Sequence, residues 1–343
     1  MRQSDAADAV DHVDFDDNRL VAEISGGHDE HLAILEDALG VRIDPRGNRF
    51  AITGEASARR RAVAALGDLY ARAMRGEPVS VAEARAAARL AGSAAPGPSA
   101  SPAAALKTAG PAIKTPKRVI TARTPNQAAY LEKLGRHDLT FGVGPAGTGK
   151  TYLAVAHAVG LLLGGAVERI ILSRPALEAG ERIGFLPGDV KEKVDPFLQP
   201  LYDALHDMMH GDYVERRIAA GDIEIAPIAF MRGRTLARSA IILDEAQNAT
   251  PAQMKMFLTR LGDGAHMAVT GDPTQTDLPS GEVSGLADAL SVLSGVDGVA
   301  EARFTGADVV RHPLVARIIG AYDARDQGRG QGLGRGLGRG RRQ

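Results

Sequence analysis

The stretch Gly144-Pro145-Ala146-Gly147-Thr148-Gly149-Lys150-Thr151 matches G-x-x-x-x-G-K-[ST] at every fixed position and directly follows the apolar run Leu139 to Val143. A loop that wraps a polyphosphate brings backbone N–H groups close to it, and Gly144, Gly147 and Gly149 remove the side chains that would block that approach. Lys150 supplies a point charge for the β- and γ-phosphates, and Thr151 a hydroxyl for Mg2+. Tyr152, Leu153, Val155, Ala156, Val159 and Leu163 recur at helical spacing, so the helix they form aims its positive end at the same anion.

A phosphate loop alone does not separate kinases, GTPases, motors and helicases. Ile241-Ile242-Leu243-Asp244-Glu245 is an apolar strand ending in two acids. Asp244 is placed to hold Mg2+ together with Thr151, and Glu245 to orient and deprotonate an attacking water, which is hydrolysis rather than transfer to a bound substrate. After the next apolar segment comes Gly271-Asp272-Pro273-Thr274-Gln275, where the Gln275 amide could bond both γ-phosphate and water. Upstream, the Gln127 amide can donate to and accept from the edge of adenine, a pairing guanine does not offer. In this order the four features resemble the ATPase core of superfamily-one helicases. Two rivals stand beside that reading: a P-loop kinase for a small molecule, and a scaffold that holds ATP without turning it over.

The elements that must position these residues follow from hydrophobic periodicity. Segments at Phe141 to Val143, Arg169 to Leu172, Ile223 to Ile228, Ala240 to Leu243 and Met267 to Thr270 alternate with helical patterns, the signature of an α/β fold with a parallel sheet covered by helices. Most of these strands end in polar residues, and ligands bind beyond the carboxyl ends of strands in such sheets. This P-loop domain is assigned to residues 121–323. Before it, Leu20, Ala22 and Ile24 alternate as a strand, Leu32, Leu35 and Leu39 follow helical spacing, Val41 to Ile52 reads as a hairpin, and a helix runs from Glu55 to Met74. Residues 18–92 therefore form a small α+β module of the KH kind. KH domains clamp a nucleic-acid backbone with a GXXG loop, and Gly26-Gly27-His28-Asp29 does not fit that pattern.

Three segments read as unstructured. Residues 1–17 hold six aspartates and few apolar anchors, residues 93–120 are an Ala, Pro and Gly linker, and residues 324–343 alternate Gly with Arg as a basic tail. The chain has 343 residues, formal net charge −1 and no cysteine, so disulfides and Cys-ligated metals are excluded. No uninterrupted apolar stretch approaches the roughly 20 residues needed to cross a bilayer, and no signal peptide is evident, which sets a cytoplasmic expectation.

The phosphate loop together with Ser173-Arg174-Pro175-Ala176-Leu177-Glu178-Ala179-Gly180-Glu181, Gly184-Phe185-Leu186-Pro187-Gly188, Arg232-Gly233-Arg234-Thr235 and Asp244-Glu245-Ala246-Gln247-Asn248 resembles the PhoH family. The resemblance covers about Thr121 to Tyr322, and the N-terminal module is similar to the KH-like domain of bacterial YbeZ-type members. It implies an ATP-binding cytoplasmic protein of RNA metabolism, with ribosomal RNA maturation and an endoribonuclease of the YbeY type as the setting. Superfamily-one helicases hydrolyse ATP between two cores, the second supplying arginine, and here there is one core. Arginine stabilisation is worth roughly 10³ to 10⁵ in rate, so a homo-oligomer, for instance a hexameric ring, is expected to lend that charge. The candidate donors are Arg174, Arg232, Arg234 and Arg311.

Overall fold

A computed structural model describes residues 10–93, 112–175, 190–279 and 281–309, together with Val315 and Ile318. The N-terminal module runs β1 (Val10–Asp14), α1 (Asn18–Ser25), α2 (Glu30–Leu39), β2 (Val41–Arg46), β3 (Arg49–Gly54), α3 (Ala56–Met74) and α4 (Val81–Ser93). Its three strands form an antiparallel sheet in the order β1-β3-β2. Two expectations are corrected here. The segment Leu20 to Ile24 is helical rather than a strand: Asp17 caps the helix by accepting from the Arg19 backbone N–H at 2.9 Å, and the buried set is Val21, Ile24 and Ser25, a helical stripe. The acidic N-terminal tail is ordered from Val10, because Val13 and Phe15 are buried and Phe15 packs on Phe50 and Tyr70 with ring centroids 5.5 and 4.4 Å away. Residues 1–9 lie outside the described set.

The segment read as a linker also yields at both ends. Helix α4 continues to Ser93, and β4 (Ala112–Lys114) pairs antiparallel with β5 (Val119–Thr121). Ile113 at the centre of β4 packs onto the phosphate-loop domain, and Lys117 Nζ donates to the His206 carbonyl at 2.7 Å. Apolar burial by two isoleucines seven residues apart, Ile113 and Ile120, left no periodic signal.

The larger domain continues with α5 (Pro125–Arg136), β6 (Leu139–Val143), α6 (Lys150–Leu163), β7 (Arg169–Arg174), α7 (Val190–Met208), α8 (Gly211–Ala220), β8 (Ile223–Pro227), β9 (Ser239–Leu243), α9 (Pro251–Leu258), β10 (His266–Gly271), α10 (Gly285–Val292) and β11 (Val299–Arg303). Six strands make one sheet in the order β11-β6-β10-β9-β7-β8, and every neighbouring pair is parallel. This is the parallel α/β sheet expected from the strand pattern, and it is consistent with the P-loop core of RecA or superfamily-one type that the motifs resemble. Strand β11 escaped that pattern, since its two buried positions, Ala300 and Ala302, are small residues that give only a weak apolar signal in alternation with Glu301 and Arg303. Apolar layers cover both faces, one built around Val155, Val159, Leu172, Leu201 and Leu205, the other around Phe141, Ile171, Ile241, Phe257 and Val269. Strand β10 separates β6 from β9, so the residues after β10 rise between the phosphate loop and the acidic pair. Among the described residues no helix is long and apolar enough to cross a membrane.

Candidate functional site

The loop from β6 to α6 is shaped by glycines at positive φ: Gly144 at 144°, Gly147 at 80° and Gly149 at 85°. A Cβ on Gly144 would stand 2.4 Å from the Phe304 carbonyl oxygen, so that position admits no side chain. Pro145 and Ala146 fill the loop between them, and Thr148 is fully buried, its hydroxyl donating to the Pro145 carbonyl at 2.9 Å. Lys150, in the first turn of α6, folds back and donates to the carbonyls of Gly144 at 2.6 Å and Pro145 at 2.8 Å. Burial lowers its pKa, while the surrounding carboxylates of Asp272, Asp244 and Glu245 favour its charge.

Thr151 donates to Asp244 Oδ1 at 2.6 Å, and Thr270 donates to the same oxygen at 2.8 Å. The two hydroxyls orient a carboxylate that is 5% exposed. Its Oδ2 has no hydrogen-bond partner among the described residues. One carboxylate and one hydroxyl suit Mg2+, which keeps several waters and takes phosphate oxygens rather than a full protein cage. No cluster of three or more His, Cys, Asp or Glu side chains suited to a metal occurs among the described residues, and this mode of binding needs none.

Glu245 adopts a left-handed backbone, φ 51°, uncommon for a non-glycine residue. Its carboxylate lies 3.4 Å from the Arg174 guanidinium and accepts from Gln247 Nε2 at 2.6 Å. Gln247 Oε1 in turn accepts from the Asp272 backbone N–H at 3.0 Å. This side chain bridges the ends of β9 and β10, and Gly271 makes room for it: a Cβ there would sit 2.5 Å from Gln247 Oε1. Gln247 and Thr270 are site residues that spacing alone did not reveal, whereas Gly271-Asp272 is the polar end of an apolar strand, and such ends are expected to converge on the phosphate site. Gln275 is turned onto the same centre, its Nε2 donating to Asp272 Oδ2 at 2.9 Å.

Gln127 is placed beside the loop but differs from the expected base reader. It is 4% exposed; Oε1 accepts from the Arg123 backbone N–H at 2.7 Å and Nε2 donates to the Thr148 carbonyl at 2.9 Å. Its amide thus braces the phosphate loop against the start of α5. Among the arginines, Arg234 makes a bidentate pair with Glu224 of its own chain at 2.6 and 2.7 Å. The Arg234 guanidinium holds the Glu224 carboxyl below its usual value. Arg174 faces Glu245 of its own chain. Arg232 is exposed, and Arg311 lies outside the described residues.

A family model described as PhoH-like protein matches residues 119–323. A PhoH-like protein of Bacillus subtilis (strain 168) is 60% identical over 207 residues, 60% of this chain and 65% of its own length. One of Mycobacterium tuberculosis (strain H37Rv) is 46% identical over 304 residues, 88% of this chain and 85% of its own. Protein PhoH of Escherichia coli (strain K12) is 46% identical over 205 residues, covering 59% and 58%. The chain thus spans just under two thirds of the Bacillus relative's length. The family match encloses the phosphate loop, Asp244, Glu245 and Gln275, and the Mycobacterium likeness extends beyond it to 88% of the chain; on both grounds this chain belongs to the PhoH family.

Proposed function

We propose that the protein is a Mg2+-dependent ATP hydrolase that acts on RNA. The observation that carries the hydrolase reading is the contact between the Thr151 hydroxyl and Asp244 Oδ1 beside Lys150, with Glu245 one residue further on. When bound, Mg2+ would be held by Thr151 and Asp244 and would draw negative charge from the β- and γ-phosphate oxygens. Lys150 exchanges its two loop carbonyls for phosphate oxygens and neutralises the same charge. Glu245 accepts a proton from water as the water oxygen attacks the γ-phosphorus and the bond to the bridging oxygen of ADP breaks. Gln247 fixes the Glu245 carboxylate, and Gln275 leaves Asp272 to meet the γ-phosphate and the water. A kinase would set such a carboxylate against the hydroxyl of a bound acceptor instead of water, so the need for a co-substrate separates the two readings.

Support for RNA comes from charge on the N-terminal module. Arg61, Arg85 and Arg89 line a cavity of about 270 Å3 beside Ala38 and Leu39. Arg61 Nε is buried without a hydrogen-bond partner, and none of the three makes an ion pair among the described residues. The loop Gly26 to Asp29, which joins α1 to α2 where a KH fold carries its clamp, instead presents Asp29 and Glu30. Phosphates are repelled from that loop and attracted to the arginines. We extend the reading to a homo-oligomeric ring, in which a neighbouring chain lends the single core the arginine charge that a second core would otherwise supply, and to an endoribonuclease partner of the YbeY type in ribosomal RNA maturation.

Phosphate release from ATP is measured with and without structured RNA and with no other co-substrate. The expected result is Mg2+-dependent release that RNA accelerates, and acceleration that Arg61→Glu with Arg89→Glu abolishes. ADP formation that requires a small-molecule acceptor and yields no free phosphate, the γ-phosphoryl group passing to that acceptor, overturns the reading in favour of a kinase.

A further inference from the structure

We infer that the N-terminal module forms one wall of the nucleotide site and that the nucleoside end of the bound nucleotide sits between the two domains. The inference rests on the phosphate-loop reading above and adds the place and surroundings of the nucleoside.

A cleft of about 700 Å3 opens beside the phosphate loop. It shares Gly147, Gly149 and Gln127 with that loop and continues along Tyr152 and Leu153 of α6. Asp244, Glu245 and Asp272, which mark the γ-phosphate end, do not line it. A triphosphate whose far end meets Thr151 and Asp244 therefore leaves the loop on the cleft side. The opposite wall belongs to the other domain: Arg72, Glu77, Pro78, Ser80 and Glu83, from the end of α3 to the start of α4.

The wall is tied to the core by specific bonds. Arg72 Nη1 donates to Thr121 Oγ1 at 2.8 Å, and the Arg123 guanidinium meets Glu83 at 3.2 Å. From Arg123 the contacts run on through its backbone N–H to Gln127 and from Gln127 to the Thr148 carbonyl. A continuous chain of hydrogen bonds thus joins Glu83 of the module to the phosphate loop.

The chemistry of the cleft selects a nucleoside over a second anion. Its cations are already matched within the chain: Arg72 with Asp68, Arg118 with Asp207, Arg123 with Glu83, and Lys117 with the His206 carbonyl. What remains for a ligand is the half-buried ring of Tyr152, held by its hydroxyl bond to Asp207 at 2.7 Å, and carboxylate oxygens suited to ribose hydroxyls or an exocyclic amine. Tyr152 is the aromatic residue of the lining.

The chain contains no tryptophan, so Pro78→Trp in the full-length protein places a single reporter in the wall. Titration with ATP should change its emission, whereas inorganic tripolyphosphate, which lacks the nucleoside, should bind without changing it. A second variant, Arg123→Ala, should weaken ATP binding by about tenfold, or 1.4 kcal/mol, and leave tripolyphosphate affinity within about twofold. ATP that binds by calorimetry without altering the emission of the Pro78→Trp variant, an emission change shared by tripolyphosphate, or an equal loss of both ligands in Arg123→Ala overturns the inference. If the unmodified protein binds neither ligand, it is the phosphate-loop reading that fails.

Discussion

Thr151 donates its hydroxyl to Asp244 at 2.6 Å across 93 residues of chain. The contact joins the first turn of α6 to the end of β9, although β10 lies between β9 and the strand that feeds the phosphate loop. With Thr270 on the same oxygen, the carboxylate is held in one orientation before any ligand arrives. Such prior order is what lets a site bind charge without reorganising.

Replacing Asp244 by Asn keeps the shape and leaves Oδ1 able to accept both hydrogen bonds, but removes the charge that a divalent cation needs. The affinity gained for ATP on adding Mg2+ should then shrink by at least about tenfold, with affinity in chelator little changed. Calorimetry with and without Mg2+ checks this, and an undiminished gain would remove Asp244 from the metal site.

Glu245→Gln should retain nucleotide binding and lose turnover by about 10² to 10⁴, the range for a general base. Gln247→Leu leaves the carboxylate in place but deletes the bond to it and the bond from the Asp272 N–H. The expected outcome is a fall in kcat with KM nearly constant, because Gln247 acts by positioning. A change confined to KM would instead make Gln247 a binding residue.

Why the phosphate loop, Lys150, Thr151 and Asp244 could be read from the chain while the Gln247 bridge could not is a matter of locality. Glycines at fixed spacing encode positive φ directly, and the apolar run before Asp244 marks a strand whose end must carry function. The Gln247 bridge depends on β10 running beside β9 and on Gly271 leaving space, neither of which is a property of neighbouring residues. Arg234 looked available because Glu224 lies ten residues away on another element. Alternation at Leu20, Ala22 and Ile24 suggested a strand, yet burial follows Val21, Ile24 and Ser25, and the Asp17 cap decides for a helix.

Gly271 is the most direct test of that bridge. A methyl group there would come within 2.5 Å of Gln247 Oε1 and 2.7 Å of Leu286 Cδ2, and forcing such contacts typically costs about 1 to 3 kcal/mol. Gly271→Ala should lower the thermal midpoint and reduce turnover together. Gly135→Ala, at a helical position with open space around it, should instead raise stability by about 0.5 to 1 kcal/mol. Equal behaviour of the two variants would argue against a tight Gly271 contact.

His157 sets an acid limit on stability. Burial, then the neighbouring His266, depresses its pKa to about 4, and its Nε2 has no hydrogen-bond partner. The unfolded chain takes up a proton near the ordinary histidine value of about 6.5, whereas the folded chain resists until about pH 4. Stability from this group is therefore complete above about pH 6.5 and is lost as pH falls toward 4, at about 1.4 kcal/mol per pH unit. Between pH 7.5 and 5 the loss attributable to it is about 2 kcal/mol. His157→Leu should flatten the dependence of the unfolding free energy from urea titration on pH by that amount, and a slope equal to that of the unmodified protein would show that the imidazole is already charged or already hydrated in the folded state.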